Sequence, residues 1–173
     1  MDLSTRIQQQ IKDVPDFPKP GILFKDITPI FSQPDLCNDI ADHISQTFPS
    51  IDVIAGIESR GFFWGMLVAQ QLDIPFIPIR KAGKLPRATF SQTYNLEYGT
   101  ATIEIHKDAI PAGATVLIHD DLLATGGTAS AAAQLVEQVG TVVGFSFLVE
   151  LGFLNGRAHL TPFSDRIDAL VQY

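Results

Sequence analysis

Residues 115–129 read TVLIHDDLLATGGTA, and this stretch decides the fold. Its first four residues, 115–118, are apolar or β-branched and predict a short buried strand. Two adjacent acids follow that strand, and the paired glycines Gly126 and Gly127 then predict a tight turn. The alanine-rich stretch that starts at residue 128 predicts a helix. A strand, a glycine turn and a helix in this order are typical of one unit of an α/β sheet.

The same stretch carries groups that suit a sugar phosphate. Backbone N–H groups of a glycine turn can surround an anion, and the N-terminus of the following helix adds partial positive charge. Thr125 and Thr128 add hydroxyl donors, and the carboxylates of Asp120 and Asp121 can accept hydrogen bonds from sugar hydroxyls or help hold magnesium through water. The residues predict a site for a ribose 5-phosphate. The simpler alternative is a tight bend beside solvated acids.

The composition indicates one globular domain over residues 1–173, with 46% hydrophobic residues. A net charge of −7 argues against a general nucleic-acid or membrane-surface binder, and no apolar run reaches membrane-spanning length. The single cysteine, Cys37, excludes an intrachain disulfide, and the four histidines lack metal-ligand spacing. The N-terminus has no apolar signal-peptide core. We therefore expect a cytoplasmic protein with neither a nucleic-acid nor a membrane partner.

Apolar strands alternate with helices along most of the chain. Helices are predicted at 4–12, 34–48, 61–72 and 128–139, and strands at 53–57, 75–79, 115–118 and 142–151. This order indicates an α/β fold with a parallel-sheet core flanked by helices on both faces, in which ligands bind at the C-terminal strand ends. The proline-rich residues 13–29 predict an extended segment, residues 80–106 a mobile hairpin, and residues 152–173 a turn, a short helix and a terminal strand.

A second strand-to-helix turn, IAGIESRG at residues 54–61, has the glycine spacing of a P-loop. Phe62 and Phe63 stand where a P-loop needs Lys and Ser or Thr, so an ordinary nucleotide triphosphatase is excluded. Backbone N–H groups after Glu58 and the guanidinium of Arg60 suit a diphosphate, because arginine binds phosphate in a bidentate manner. The alternative is a tight turn with Arg60 in a surface ion pair.

Residues 80–87, RKAGKLPR, hold four of the 12 basic residues of an acidic chain. This clustering predicts a glycine-hinged lid that carries positive charge over a leaving pyrophosphate and excludes water. The segment YNLEYG at residues 94–99 ends this stretch of the chain. The alternative is a solvated charged loop.

Six strings together resemble the type I phosphoribosyltransferases, and among them the adenine-specific enzymes. The strings are DFPKPGILFKDITP, AGIESRGF, RKAGKLP, YNLEYGT, DDLLATGGTA and FLVEL, and they span nearly the whole chain. The resemblance implies the type I phosphoribosyltransferase fold, with an N-terminal base-binding segment at about residues 13–30 and a flexible lid at about 80–106. It also implies a pyrophosphate loop, often with a non-proline cis peptide, at the turn that contains Arg60.

The resemblance further implies a role for each matching residue. Ribose and 5′-phosphate binding falls to Asp120, Asp121, Ala124, Thr125, Gly126, Gly127 and Thr128. Pyrophosphate binding falls to Glu58, Ser59, Arg60, Arg80, Lys81 and Lys84. Adenine binding falls to Leu23, Phe24, Lys25 and Leu122. The implied catalytic residue is Glu97, which would hydrogen-bond near N7 of the base and help to move its proton.

The implied reaction is a purine salvage step that forms AMP and pyrophosphate from adenine and 5-phosphoribosyl 1-pyrophosphate. Mg²⁺ would be bound mainly through the substrate, without a protein metal site, and the enzyme would be a homodimer. Two alternatives stay open: an enzyme for hypoxanthine, guanine or a pyrimidine, and a non-catalytic regulator that senses a phosphoribosyl ligand. Two residues depart from the pattern. Lys25 replaces the usual Arg, and His119 replaces an apolar residue, with alternation along the strand directing its ring away from the ribose.

Overall fold

A computed structural model describes residues 1–96 and 99–173 of the chain. Its central sheet has seven strands in the order β5-β6-β4-β3-β7-β8-β9, and β1 and β2 form a separate antiparallel hairpin. The strands are β1 (Lys12–Pro15), β2 (Leu23–Asp26), β3 (Val53–Ile57), β4 (Phe76–Lys81), β5 (Thr89–Leu96), β6 (Gly99–His106), β7 (Thr115–Leu123), β8 (Thr141–Glu150) and β9 (Ile167–Gln172).

Four α-helices cover the two faces of the sheet. They are α1 (Leu3–Gln10), α2 (Pro34–Thr47), α3 (Gly61–Leu72) and α4 (Gly127–Val136). Side chains of α1, α2 and α3 fill the core on one face, while α4 packs into the core on the other. Short 3-10 helices lie at Thr28–Ser32, Gly152–Leu154 and Gly156–His159. No helix in the described part of the chain is long and apolar enough to cross a membrane.

The central strands are parallel because helices connect them and cover both sides. β3 pairs in parallel with β4 and β7, β7 with β8, and β8 with β9. All five residues of β3 are buried, as expected for a strand with a core on each face. The predicted hairpin is present, since β6 pairs antiparallel with both β4 and β5. The predicted α/β architecture is confirmed.

The predicted end of one strand is wrong. The sequence indicates that β7 stops at residue 118, whereas the strand continues through both acids to Leu123. Pairing with β8 extends it, because Leu122 lies opposite Val149 and Leu123 opposite Glu150. The acids therefore lie within the sheet and not in the loop after it.

The topology places two connections side by side. β3 and β7 are neighbours that run in parallel, so their C-terminal ends meet at the same edge of the sheet. The loop from β3 into α3 starts at Glu58, and the loop from β7 into α4 starts at Ala124. The two motifs that the sequence singles out, residues 58–60 and 124–128, are thus adjacent although more than sixty positions separate them.

Candidate active site

The loop that joins β7 to α4, residues Ala124–Thr128, lines a cavity of ≈ 70 Å³. Gly126 adopts a left-handed backbone, with φ of +83°, and a Cβ at this position would collide with the carbonyl oxygen of Gly156. Glycine is therefore required here by backbone conformation and by space. We call residues 124–128 the cradle.

The N-terminus of α4 opens into the cradle without a capping group. Gly126 is the N-cap, no side chain accepts from the first turn, and no acidic residue lies in that turn. The first N–H groups of a helix have no intrahelical partner, and the helix dipole adds partial positive charge at this end. The arrangement is therefore suited to an anion such as a phosphate monoester.

The two adjacent acids of β7 lie in different surroundings. Asp120 lines the cavity beside the cradle, and its Oδ1 accepts the backbone N–H of Asp121 at 2.8 Å. Burial, with repulsion from Asp121, raises the pKa of Asp120 well above its usual value. Asp121 is buried, and its Oδ2 lies 3.0 Å from Nε of Arg60. Burial also raises the pKa of Asp121, against the opposing effect of Arg60.

Arg60 connects the acidic pair to the N-terminal segment. Its guanidinium carbon lies 5.3 Å from the ring centroid of Phe24, while its Nε contacts Asp121. Phe24 is half-buried, and Leu23 beside it is 50% exposed. Leu122, the other predicted base-contacting side chain, lines the cavity beside the cradle. The structure thus brings the predicted base, ribose and pyrophosphate segments to one place.

The side chain of Lys25 points away from this site. Its Nζ lies 2.6 Å from Oδ1 of Asp13 and 3.8 Å from the ring centroid of Tyr173. The lysine therefore links the β1–β2 hairpin to the C-terminus of the chain.

The turn after β3 is tied to the lid. The Glu58–Ser59 peptide is cis, as the resemblance implies. The carboxylate of Glu58 accepts from Nε and Nη2 of Arg80 at 3.2 and 3.1 Å, and from the backbone N–H of Lys81 at 3.1 Å. The Arg80 hydrogen bonds lower the pKa of Glu58. Arg80 also donates from Nη1 to the carbonyl of Lys84 at 3.0 Å, so one arginine organises residues 80–84.

Three predicted pyrophosphate-binding side chains face solvent. Ser59, Lys81 and Lys84 are exposed. Arg80, by contrast, is held by Glu58. The predicted catalytic residue, Glu97, lies outside the described residues.

Two residues beside the cradle are not predicted by the sequence. The hydroxyl of Thr128 lies 3.1 Å from the hydroxyl of Tyr94, and Nδ1 of His159 lies 2.6 Å from the carbonyl oxygen of Thr125. Each partner is 34 positions away along the chain. No local spacing connects such pairs, so only the folded chain reveals them.

His119 is buried on the opposite side of β7 from the cavity. A Cβ at Gly65 of α3 would lie 3.8 Å from Cδ2 of this histidine, which places the ring against α3, as strand alternation predicts. Burial lowers the pKa of His119 to about 4. Its imidazole is therefore neutral near pH 7.

Within residues 1–96 and 99–173, no group of three or more His, Cys, Asp or Glu side chains is placed to hold a metal ion. The donors near the cradle are the carboxylates of Asp120 and Asp121. Carboxylate oxygens suit Mg²⁺, which usually keeps several waters and shares its shell with substrate phosphates. The donor set fits magnesium bound together with a substrate.

Comparison with known proteins identifies close relatives. The profile of the phosphoribosyl transferase domain matches residues 26–157. The chain is 50% identical over 173 residues to adenine phosphoribosyltransferase from Thermobifida fusca, covering 98% of each protein. The crystal structure of adenine phosphoribosyltransferase from Thermoanaerobacter pseudethanolicus superposes with a TM-score of 0.93 at 45% identity, covering 98% of this chain and 99% of that one. The Saccharomyces cerevisiae enzyme, complexed with an imino-altritol bisphosphate and adenine, gives a TM-score of 0.90 at 43% identity, covering 97% and 98%.

Proposed function

The chain belongs to the adenine-specific branch of the phosphoribosyltransferase family. We propose that the site described above forms AMP and pyrophosphate from adenine and 5-phosphoribosyl 1-pyrophosphate. One observation carries the assignment of residues. Arg60 contacts both Phe24 and Asp121, so the segments proposed for base, ribose and diphosphate converge on one side chain.

The cradle would bind the 5′-phosphate of the ribosyl donor. The N–H groups of Gly126, Gly127 and Thr128, with the threonine hydroxyls, supply donors at an uncapped helix N-terminus. Asp120, which lines the same cavity, would accept hydrogen bonds from the ribose hydroxyls. Asp121, which also holds Arg60, would help to position the ribose hydroxyls. Anchoring both ends of the ribose phosphate fixes C1′ for attack, and such orientation can supply several kcal/mol.

Basic residues of the turn after β3 and of the lid would stabilise the departing pyrophosphate. The bond from C1′ to oxygen breaks as N9 of adenine approaches, so negative charge grows on the leaving group. Arg60 and the lid cations Arg80, Lys81 and Lys84 would neutralise that charge. Arg80 is held by Glu58 in this structure, which keeps its guanidinium at the edge of the loop. Bound Mg²⁺ supplies further charge neutralisation on the diphosphate.

The N-terminal hairpin would bind adenine. Phe24 and Leu122 would cover the faces of the base, and the backbone at Leu23 and Lys25 would read its polar edge. Glu97 would hydrogen-bond near N7 and accept the proton that adenine gives up as N9 bonds to C1′. Replacing Glu97 with Ala should lower kcat strongly and leave the KM for the ribosyl donor nearly unchanged; normal turnover in that variant would remove Glu97 from the mechanism.

Two experiments test this assignment. Purified protein with Mg²⁺, the ribosyl donor and each free base should form nucleotide fastest from adenine, and preference for hypoxanthine or guanine would overturn the base assignment. Crystals soaked with AMP should show its phosphate at Gly126 and Gly127. Phosphate density elsewhere, at saturating AMP, would contradict the cradle.

We also propose that the enzyme is a homodimer that uses the exposed face of α3. Phe63 and Met66 are 47% and 51% exposed, and the ring centroids of Phe31 and Phe63 lie 4.6 Å apart. An apolar patch on a helix that begins at the pyrophosphate loop is typical of a subunit interface. Light scattering should give twice the chain mass, and Phe63→Glu should give monomers. A monomeric wild type would contradict the proposal.

A cytoplasmic location is part of the same proposal. Cys37, the only cysteine, is free, and burial raises the pKa of its thiol. A free thiol fits a reducing compartment. Cell fractionation with activity measured in each fraction tests this location, and activity outside the cytoplasmic fraction would contradict it.

A further inference from the structure

Tyr94 lies on β5 and reaches the phosphate cradle from the lid. Its hydroxyl lies 3.1 Å from Oγ1 of Thr128, the second residue of α4. Its ring covers the start of the same helix, because a Cβ at Gly127 would lie 3.7 Å from Tyr94 Cδ2. The ring is also packed against the core on the α4 side of the sheet. Tyr94 is therefore held in place, and its hydroxyl is aimed at one group of the cradle.

When an anion binds, the chemistry of the two hydroxyls decides which of them donates the hydrogen bond and which accepts it. A threonine hydroxyl has one proton to donate and two lone pairs, and a tyrosine hydroxyl likewise donates and accepts. Thr128 donates to Tyr94 in this structure. A phosphate monoester that is fully ionised only accepts, so Thr128 must turn its proton toward the phosphate. Tyr94 can then donate to the oxygen that Thr128 has freed.

We propose that Tyr94 is a positioning residue for the ribosyl donor, acting through a relay from the Tyr94 hydroxyl to the Thr128 hydroxyl to the 5′-phosphate. This inference rests on the proposed role of the cradle. The relay fixes the orientation of the Thr128 hydroxyl, and hydrogen bonds in a chain strengthen one another in a half-buried site. It also joins the strand of the lid to the phosphate end of the substrate.

Removal of the tyrosine hydroxyl tests the relay without removing the ring. Tyr94→Phe should weaken binding of ribose 5-phosphate, measured by calorimetry, about three- to tenfold, the size expected for one hydrogen bond. The KM for the ribosyl donor should rise by a similar factor, with kcat within about twofold, because the contact is present in ground state and transition state alike. An unchanged affinity for ribose 5-phosphate in Tyr94→Phe would overturn the proposal.

Thr93→Val is the matched control. It removes a hydrogen bond of the same hairpin, 2.8 Å between the Thr93 and Thr102 hydroxyls, that does not reach the cradle. Its affinity for ribose 5-phosphate should stay within about twofold of wild type. An equal loss in Thr93→Val would assign the effect to the hairpin in general and overturn the relay.

A double-mutant cycle with Thr128→Val separates a relay from two independent contacts. Without the Thr128 hydroxyl, Tyr94→Phe should cost less than about twofold further, since the two hydroxyls act as one unit. A full additional loss would show that Tyr94 acts without Thr128. Failure of the wild-type protein to bind ribose 5-phosphate would instead overturn the proposed cradle, a result distinct from the relay failing in a competent cradle.

Discussion

Replacement of His119 by Leu should make the protein more resistant to acid. The imidazole is fully buried between β7 and α3, and neither ring nitrogen has a hydrogen-bond partner in the described part of the chain. Burial lowers its pKa from 6.5 to about 4. In the unfolded chain the same ring takes up a proton near pH 6.5. Falling pH therefore stabilises the unfolded state relative to the folded one.

The size of the effect follows from the two pKa values. A difference of one pKa unit corresponds to about 1.4 kcal/mol. The free energy of unfolding should fall by about 2 kcal/mol from pH 8 to pH 5 through this residue alone, and by about 3 kcal/mol below pH 4, where the folded protein is also protonated. Above about pH 8 the ring is neutral in both states, and this contribution is constant.

Urea unfolding at pH 8, 7, 6 and 5, followed by fluorescence of the only tryptophan, the buried Trp64, measures these differences at fixed protein concentration. The free energy of unfolding of His119→Leu minus that of wild type should increase by about 2 kcal/mol between pH 8 and pH 5. Taking the difference at each pH cancels the other titrating groups.

Ser146→Ala is the matched control for this experiment. Ser146 lies opposite His119 on β8, and its hydroxyl is also buried without a partner in the described residues. Its replacement removes an unpartnered polar group that does not titrate, so any change in stability should be the same at every pH. A His119→Leu difference that is equally independent of pH would refute the reasoning, since the ring would then bind protons equally in the folded and unfolded states.

Three further variants test the site. Gly126→Ala should lower the free energy of unfolding, measured in urea, by about 2–4 kcal/mol, because alanine is strained at this positive φ and its Cβ would collide with Gly156. Gly113→Ala, at φ of +75° with open space around it, should lower the free energy of unfolding by only about 1 kcal/mol. Equal losses would show that the collision with Gly156 is unimportant. Lys25→Ala should lose about 1 kcal/mol of stability and keep its preference for adenine over hypoxanthine in a competition assay, and a changed preference would show that the side chain reads the base. Arg80→Gln should raise the KM for the ribosyl donor about tenfold, through loss of a charged hydrogen bond, while the KM for adenine stays within about twofold; parallel rises in both would indicate general disruption of the loop tied to Glu58.

Local patterns predict the central elements well. β3 and α3 have the predicted bounds. β3 is a short apolar run after a charged residue, and α3 is an apolar stretch after a glycine turn, so each pattern allows few other secondary structures. The end of β7 is missed because Asp120 and Asp121 are poor strand formers. Pairing with β8 on the neighbouring side overrides that local preference.

The candidate site, too, is predicted from the sequence only in part. The sequence identifies the cradle and the acidic pair, since their residues are contiguous and their chemistry is read from a single string. It leaves two readings for Arg60, and the structure places this residue in an ion pair with Asp121 while its guanidinium lies against Phe24. Lys25 is the opposite case, because the resemblance implies a role in adenine binding without fixing where its side chain goes, and the structure places that side chain on Asp13 and Tyr173.

By itself, the chain determines its family, its alternation of strands and helices and the glycine turn at residues 124–128, which we propose binds the phosphate. These features depend on neighbours within a few positions, where backbone conformation and side-chain period act directly. Only the tertiary structure decides which distant groups meet: Tyr94 with Thr128, and His159 with Thr125. Such contacts depend on how the sheet orders its strands and brings its loops together, a long-range outcome of burying two apolar cores that no local spacing encodes.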